Sequence, residues 1–214
     1  MGPLASPDAR AFLARLAHLD PSAVVRLRPA GRGRTALWGR VPWGPLVTRE
    51  VDADVDGDLT VAAAEALATG DLPAQRYDRL WRWALPPGAG TVVEEVPSAT
   101  LRDLAEAAAG TLRVATGGGT ARAVGPRRLR DALLDHVAII VQPDSGGATV
   151  EVRQRLVQAT VRMGFLAGDD TPVRVRTAGA WVGLSAYYGT AWLAPPGPLT
   201  LRPVTARPAA PPAR

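Results

Sequence analysis

Between residues 23 and 51 the chain carries three short runs of strand-forming residues, each closed by a turn signal. Ala23-Val24-Val25-Arg26-Leu27-Arg28 runs into the turn Gly31-Arg32-Gly33-Arg34, Thr35–Val41 runs into Pro42, and Pro45–Val51 runs into an acidic stretch. Three such runs in succession make an antiparallel meander. A helix precedes them. Ser6 suits an N-cap, Pro7 suits the first helical position, and Phe12, Leu13, Leu16 and Leu19 form one stripe.

Helices and strands then alternate without an internal repeat. Thr60 caps an Ala-rich helix over about 61–68, stopped by Gly70, and a second helix is expected over 74–83, before Pro86-Pro87. A strand covers 91–96. From Ser98 the pattern is helical, with Thr100-x-x-Asp103 in capping-box form and a Gly117-Gly118-Gly119 connector after it. A helix over 127–136 leads into the apolar run Val137–Val141, and a turn over 143–147 follows. Val150–Met163 reads as a helix with a β-branched start, stopped by Gly164. Strands over 173–176 and 181–187 complete the set. Residues 194–214 hold seven Pro and read as a disordered tail. The fold class is α+β: an N-terminal meander with helices, a C-terminal helix–strand–helix–strand–strand unit, and the tail. Two lobes are expected, 1–96 and 97–193.

Composition removes several chemistries. The 214 residues include no Cys and no Lys, which excludes disulfides, thiolate metal sites, Schiff bases and the Walker A lysine. Two His, His18 and His136, leave little for a metal site, and no metal or cofactor is expected. No apolar run reaches the roughly 18 residues of a membrane span, and the N-terminus lacks the pattern of a signal peptide. A cytoplasmic protein is the simplest expectation, with no membrane partner. All 25 positive side chains are Arg, read first as coding bias and second as selection for nucleic acid. Charge is unevenly spread: residues 1–49 carry net +6, 50–97 net −7 and 98–214 net +6. An acidic middle can neutralise basic flanks within one fold.

The motifs that imitate chemistry lack its context. Gly31-Arg32-Gly33-Arg34-Thr35-Ala36 has the spacing of a dinucleotide fingerprint, but a strand follows where a helix is required; it reads as a hairpin turn. Asp52, Asp54, Asp56, Gly57 and Asp58 imitate the start of an EF-hand loop, yet Ala63 stands where the twelfth-position Glu belongs; a solvated acidic turn is expected. Asp144-Ser145-Gly146-Gly147 resembles the tetrapeptide around the nucleophile of trypsin-like serine proteases. Pro143 replaces the preceding glycine and no matching histidine motif exists, so it reads as a polar turn. Asp135 and His136 are adjacent and do not face each other on a helix.

Three function classes remain. The leading one is a non-catalytic interaction or regulatory protein with a protein partner and a surface built from Trp181, Tyr187, Tyr188 and Trp192. The second is an Arg-based DNA or RNA binder with a winged-helix-like C-terminal half. There Arg127, Arg128, Arg130, Arg153, Arg155 and Arg162 would share an exposed face, with Arg174 and Arg176 on the wing. The third is an enzyme using carboxylates and Arg, with Asp52 to Asp58 as the place to look. No catalytic residue is assigned.

Overall fold

The computed structural model describes residues 2–117, 126–142, 146 and 148–195. The tail from 196, the Gly118-Gly119 connector, and Asp144, Ser145 and Gly147 of the protease-like tetrapeptide lie outside the described residues. The fold is mixed α+β, as the patterning predicts. Helix α1 (Pro7–Leu19) leads into strands β1 (Val24–Gly31), β2 (Arg34–Arg40) and β3 (Leu46–Asp52), then β4 (Leu59–Ala62) and α2 (Ala63–Thr69). After a one-turn 3-10 segment (Asp78–Leu80) come β5 (Thr91–Pro97), α3 (Ser98–Gly117), α4 (Pro126–Asp135), β6 (Val137–Val141) and β7 (Val150–Arg153). Helix α5 (Gln154–Arg162) and strands β8 (Pro172–Ala178), β9 (Trp181–Ala186) and β10 (Gly189–Leu193) follow.

Eight strands form one antiparallel sheet in the order β4-β1-β2-β3-β10-β9-β8-β5, while β6 and β7 pair separately. That order has a pseudo-two-fold symmetry that the sequence does not show. Each half is a helix followed by a three-strand meander: α1 before β1-β2-β3, and α5 before β8-β9-β10. Each half gains an outer strand beside the first strand of its meander, β4 on β1 and β5 on β8. Each outer strand leads directly into a helix that packs on the first, α2 on α1 and α3 on α5. The two halves meet where β3 pairs with β10 through Leu46–Trp192, Val47–Ala191 and Thr48–Thr190.

Alternation along the strands gives the sheet two different faces. Toward the helices, Gly39, Val47, Ala191, Leu184 and Val175 stand side by side across five strands. They meet a buried core that includes Leu13, Leu16, Leu101, Leu156 and Met163. Phe12 of α1 stacks on Phe165, which follows α5, at 6.4 Å between centroids. The core therefore runs unbroken under the seam.

The other face is covered by an extended strap, residues 73–90, because β4 and β5 lie at opposite edges of the sheet. The helix expected over 74–83 is not formed there, apart from one 3-10 turn. Tyr77 N–H donates to Thr60 O at 2.8 Å and Asp78 Oδ1 accepts from Thr60 N–H at 2.6 Å, which fixes the strap to the β4 edge. Beyond that anchor Trp81, Trp83 and Leu85 are half-buried while Arg82 and Ala84 are exposed. In extended backbone residues two apart share a face, so both indoles meet the sheet instead of opposing each other as they would on a helix.

Other differences are local. Thr60 ends in β4, and α2 starts at Ala63 and stops at Gly70, whose φ is 66°. The β-branched start of 150–163 is strand β7, and only 154–162 is helical. A last strand, β10, follows Tyr187-Tyr188, which form the turn between β9 and β10. The Gly31-Arg32-Gly33 turn has all three residues at positive φ, as its hairpin reading requires. The strands expected as a wing, β8 and β9, are interior strands of the large sheet, so the C-terminal half is not a winged helix.

Gly183 lies under the indole of Trp192, and a Cβ there would sit 2.6 Å from the ring. The ring is buried in one apolar cluster with Leu46 and Ala178 and cannot move away freely. Gly183→Ala is expected to cost about 1–3 kcal/mol by overpacking, measured by urea unfolding.

Candidate functional site

Two rows of side chains define the strap-side face. One row crosses all eight strands: Thr60, Arg26, Trp38, Thr48, Thr190, Ser185, Arg174 and Glu95. The next holds Arg40, Leu46, Trp192, Gly183 and Arg176. The strap covers the second row. Trp81 and Trp83 make a T-shaped pair at 5.1 Å, with Arg26 over Trp81 at 5.8 Å and Arg40 over Trp83 at 5.1 Å. Trp181 and Trp192, two of the four aromatics expected at a partner surface, pack into this cluster, and Trp192 is only 3% exposed.

Tyr187 and Tyr188 are placed differently. They project from the β9–β10 turn, 71% and 40% exposed, with their rings T-shaped at 4.7 Å. Arg49 lies over the Tyr188 ring at 5.2 Å and is itself held by Asp8 at 2.5 Å. Beside the pair is a groove of about 760 Å³, lined by Trp38, Thr48, Ser185 and Thr190 of the first row and by Gly88-Ala89 of the strap. Arg176 also lines it. Its Nη1 donates to Ala89 O at 2.9 Å and Gly90 O at 3.3 Å, and its Nε is buried without a hydrogen-bond partner among the described residues. No carboxylate pairs with Arg176 among the described residues, whereas Arg174 holds Glu95 at 2.8 Å.

The eight arginines singled out in the sequence do not form one surface. Arg174 and Arg176 stand on the strap side. The other six lie on α4, at the end of β7 and on α5. Arg155 is engaged by Asp135 and by Trp43 O, and Arg153 lies 3.8 Å from Glu151 and 4.0 Å from Asp135. Arg127 and Arg128 are exposed, and Arg130 is 3.9 Å from Asp131. Arg162 lies over Trp43 at 5.6 Å and donates to Gln158 Oε1 at 3.3 Å. A second cavity, about 630 Å³, opens here between α1, the β2–β3 turn, α3, α4 and α5. Its wall includes Trp43, Gln154 and Gln158, which the sequence reading did not single out.

The acidic stretch 52–58 lines neither of the two cavities above. Asp58 is held by Arg26 at 2.6 and 2.7 Å and by Arg28 at 3.0 Å, while the Asp52 side chain is 93% exposed. Among the described residues no three His, Asp or Glu side chains come close enough to hold a metal ion, and no helix is long and apolar enough to cross a membrane. The hydrogen bond from Arg26 holds the Asp58 carboxyl below the usual carboxylate range, and the same contact raises Arg26.

The family model described as Domain of unknown function (DUF8185) matches residues 85–198, more than half of the chain. The chain belongs to that family. A second model, Domain of unknown function (DUF8010), matches residues 2–80, so the two matches are separated only by four residues of the strap. No curated protein matches the chain. Among solved structures it is similar to the DNA polymerase III subunit beta from Pseudomonas aeruginosa, at 14% identity and a TM-score of 0.52, over 90% of this chain and 62% of that one. The Helicobacter pylori beta clamp bound to DNA ligase peptide gives 9% and 0.51, over 87% and 63%. The beta subunit from Streptococcus pyogenes gives 11% and 0.50, over 86% and 61%. The chain thus spans about three-fifths of the clamp chains it matches. Identities this low carry the fold alone.

Because the Asp58 carboxyl is lowered in the fold, its contribution is complete above the unfolded-state value, about 3.9. It is lost as pH falls through the lower folded value. The Asp58 side chain is 37% exposed and that of Arg26 27%, which limits the pair to about 1 kcal/mol. Asp58→Asn is expected to lower the melting temperature slightly at pH 7, by a difference that shrinks as the pH falls below about 3.9, by calorimetry against the parent chain.

Proposed function

We propose that this chain is a non-catalytic, cytoplasmic interaction protein that receives a protein partner in the strap-side groove beside Tyr187 and Tyr188. One observation carries the reading: two exposed tyrosines stand at the mouth of a groove that also holds Trp38 and an arginine that no carboxylate among the described residues pairs with. Tyr, Trp and Arg are the residues that anchor protein interfaces. Neither ring is needed to close the core, because both sit in a turn. The clamp-like fold supports the reading, since one structure sharing it holds a peptide of a DNA ligase.

The test is photo-crosslinking in cells that naturally make the protein. A benzophenone amino acid replaces Tyr187, and a control chain carries it at the exposed Thr111 of α3. A discrete adduct from position 187, absent from 111 and weakened at least about fivefold by Arg176→Gln, is the expected result. Equal labelling from both positions, or none from 187, overturns the reading.

A second reading rests on a separate observation. Arg127 and Arg128 are exposed and have no ion-pair partner among the described residues, and the shared fold is that of DNA polymerase subunits. On this reading the helix side contacts nucleic acid through phosphates. Anisotropy of a labelled random duplex, titrated from about 50 to 200 mM salt, tests it. Binding with a steep log–log slope, lowered by about 0.9 for each phosphate contact removed in Arg127→Gln or Arg128→Gln, is expected. No binding at the low-salt end discards it.

A further inference from the structure

We propose that the helix-side cavity binds a small anionic amphiphile, an apolar chain or ring that ends in a carboxylate or a phosphate. The proposal uses none of the residues of the strap-side groove and does not rest on that reading.

The cavity's volume, about 630 Å³, falls within the roughly 300–1,000 Å³ of small-molecule sites. Five elements enclose it, which suits a compact ligand better than a long peptide. Its body is apolar: Leu19 of α1, Trp43 of the β2–β3 turn, Ala108 of α3, and Leu133 and Leu134 of α4. The alanines of α3 keep that wall low, which leaves the space open between longer side chains. Two polar residues of the wall spend an amide hydrogen on α3. Gln154, 4% exposed, donates Nε2 to Leu104 O at 3.1 Å, and Gln158 donates Nε2 to Ala105 O at 3.1 Å. These bonds tie α5 to α3 and use one amide hydrogen of each glutamine.

The rim has the opposite character. Arg162 is fixed by its hydrogen bond to Gln158 and by the face of Trp43, yet no carboxylate pairs with it among the described residues. Arg155, two turns earlier on the same helix, is by contrast neutralised by Asp135. Arg130 and His18 join the rim, and among the described residues Asp131 is the one acidic side chain lining the cavity. A guanidinium held in one orientation next to an apolar slot recognises an anionic headgroup on an apolar body. Charge complementarity therefore selects anions over neutral or cationic amphiphiles.

The experiment is isothermal titration of the full chain with four twelve-carbon probes below their micelle concentrations: dodecanoate, dodecyl phosphate, dodecanol and dodecyltrimethylammonium. One of the two anions should bind with a stoichiometry of one, at least about tenfold tighter than the neutral and cationic probes. The tighter anion identifies the headgroup. Arg162→Gln should weaken that probe about tenfold and Arg162→Lys less, with unchanged melting. Leu134→Gln should weaken all four. Tyr187→Ala should leave binding intact, which separates this site from the strap-side groove. Equal affinity for the four probes, a stoichiometry above one, no binding, or no effect of Arg162→Gln overturns the proposal.

Discussion

Three residue pairs between β3 and β10 make one protein out of two similar halves. Without them each half would be a four-stranded sheet on a pair of helices, with an unpaired strand where the other half belongs. Close approach at two glycines, Gly189 at the seam and Gly183 on the neighbouring β9, accompanies the pairing. A Cβ at Gly189 would fall 2.7 Å from Thr48 O and 2.6 Å from the Phe165 ring, and one at Gly183 would strike Trp192. Both faces depend on the seam. Phe12 reaches Phe165 beneath it, and the strap crosses above it, so core and aromatic cluster are each shared between the halves.

Local patterning made most elements legible, because helical stripes and short strand runs are properties of neighbouring residues. Phe12, Leu13 and Leu16 are buried as their spacing predicts, and the Gly31–Gly33 turn has the expected backbone. What joins strands 140 residues apart is not written in any window, so neither the eight-strand order nor its symmetry could be read. The strap misled for a different reason. Trp81, Trp83 and Leu85 do alternate with Arg82 and Ala84, and that period of two was the available signal, but the preceding residues suggested a helix. Tyr187 and Tyr188, singled out through their aromatic enrichment, are exposed, whereas Trp192 of the same set is buried. The fate of the arginines was hidden, because Asp135 and Glu95 stand 20 and 79 residues from their partners.

The sheet separates two chemistries that the net charge merges. On the strap side, guanidinium groups lie over tryptophan faces or bond to backbone carbonyls, so positive charge is folded into an aromatic layer. On the helix side, arginines cluster around Asp135 or stand at the mouth of an apolar cavity. A formal charge of +5 describes neither surface. The acidic middle of the sequence is shared out as well: Asp58 meets Arg26 and Arg28, and Glu95 meets Arg174 at the opposite edge.

The position of β10 in the chain bears on how the protein is made. Synthesis proceeds from the N-terminus, so α1 through α2 emerge while the strand that covers β3 is still more than a hundred residues away. During that interval β3 presents open amide and carbonyl groups beside Leu46 and Val47, and the floor beneath the strap lacks Trp192. Pairings this distant in sequence also form slowly. The nascent first half is therefore an exposed sheet edge that another copy on a neighbouring ribosome can meet first. The hazard ends only when β10 leaves the ribosome tunnel.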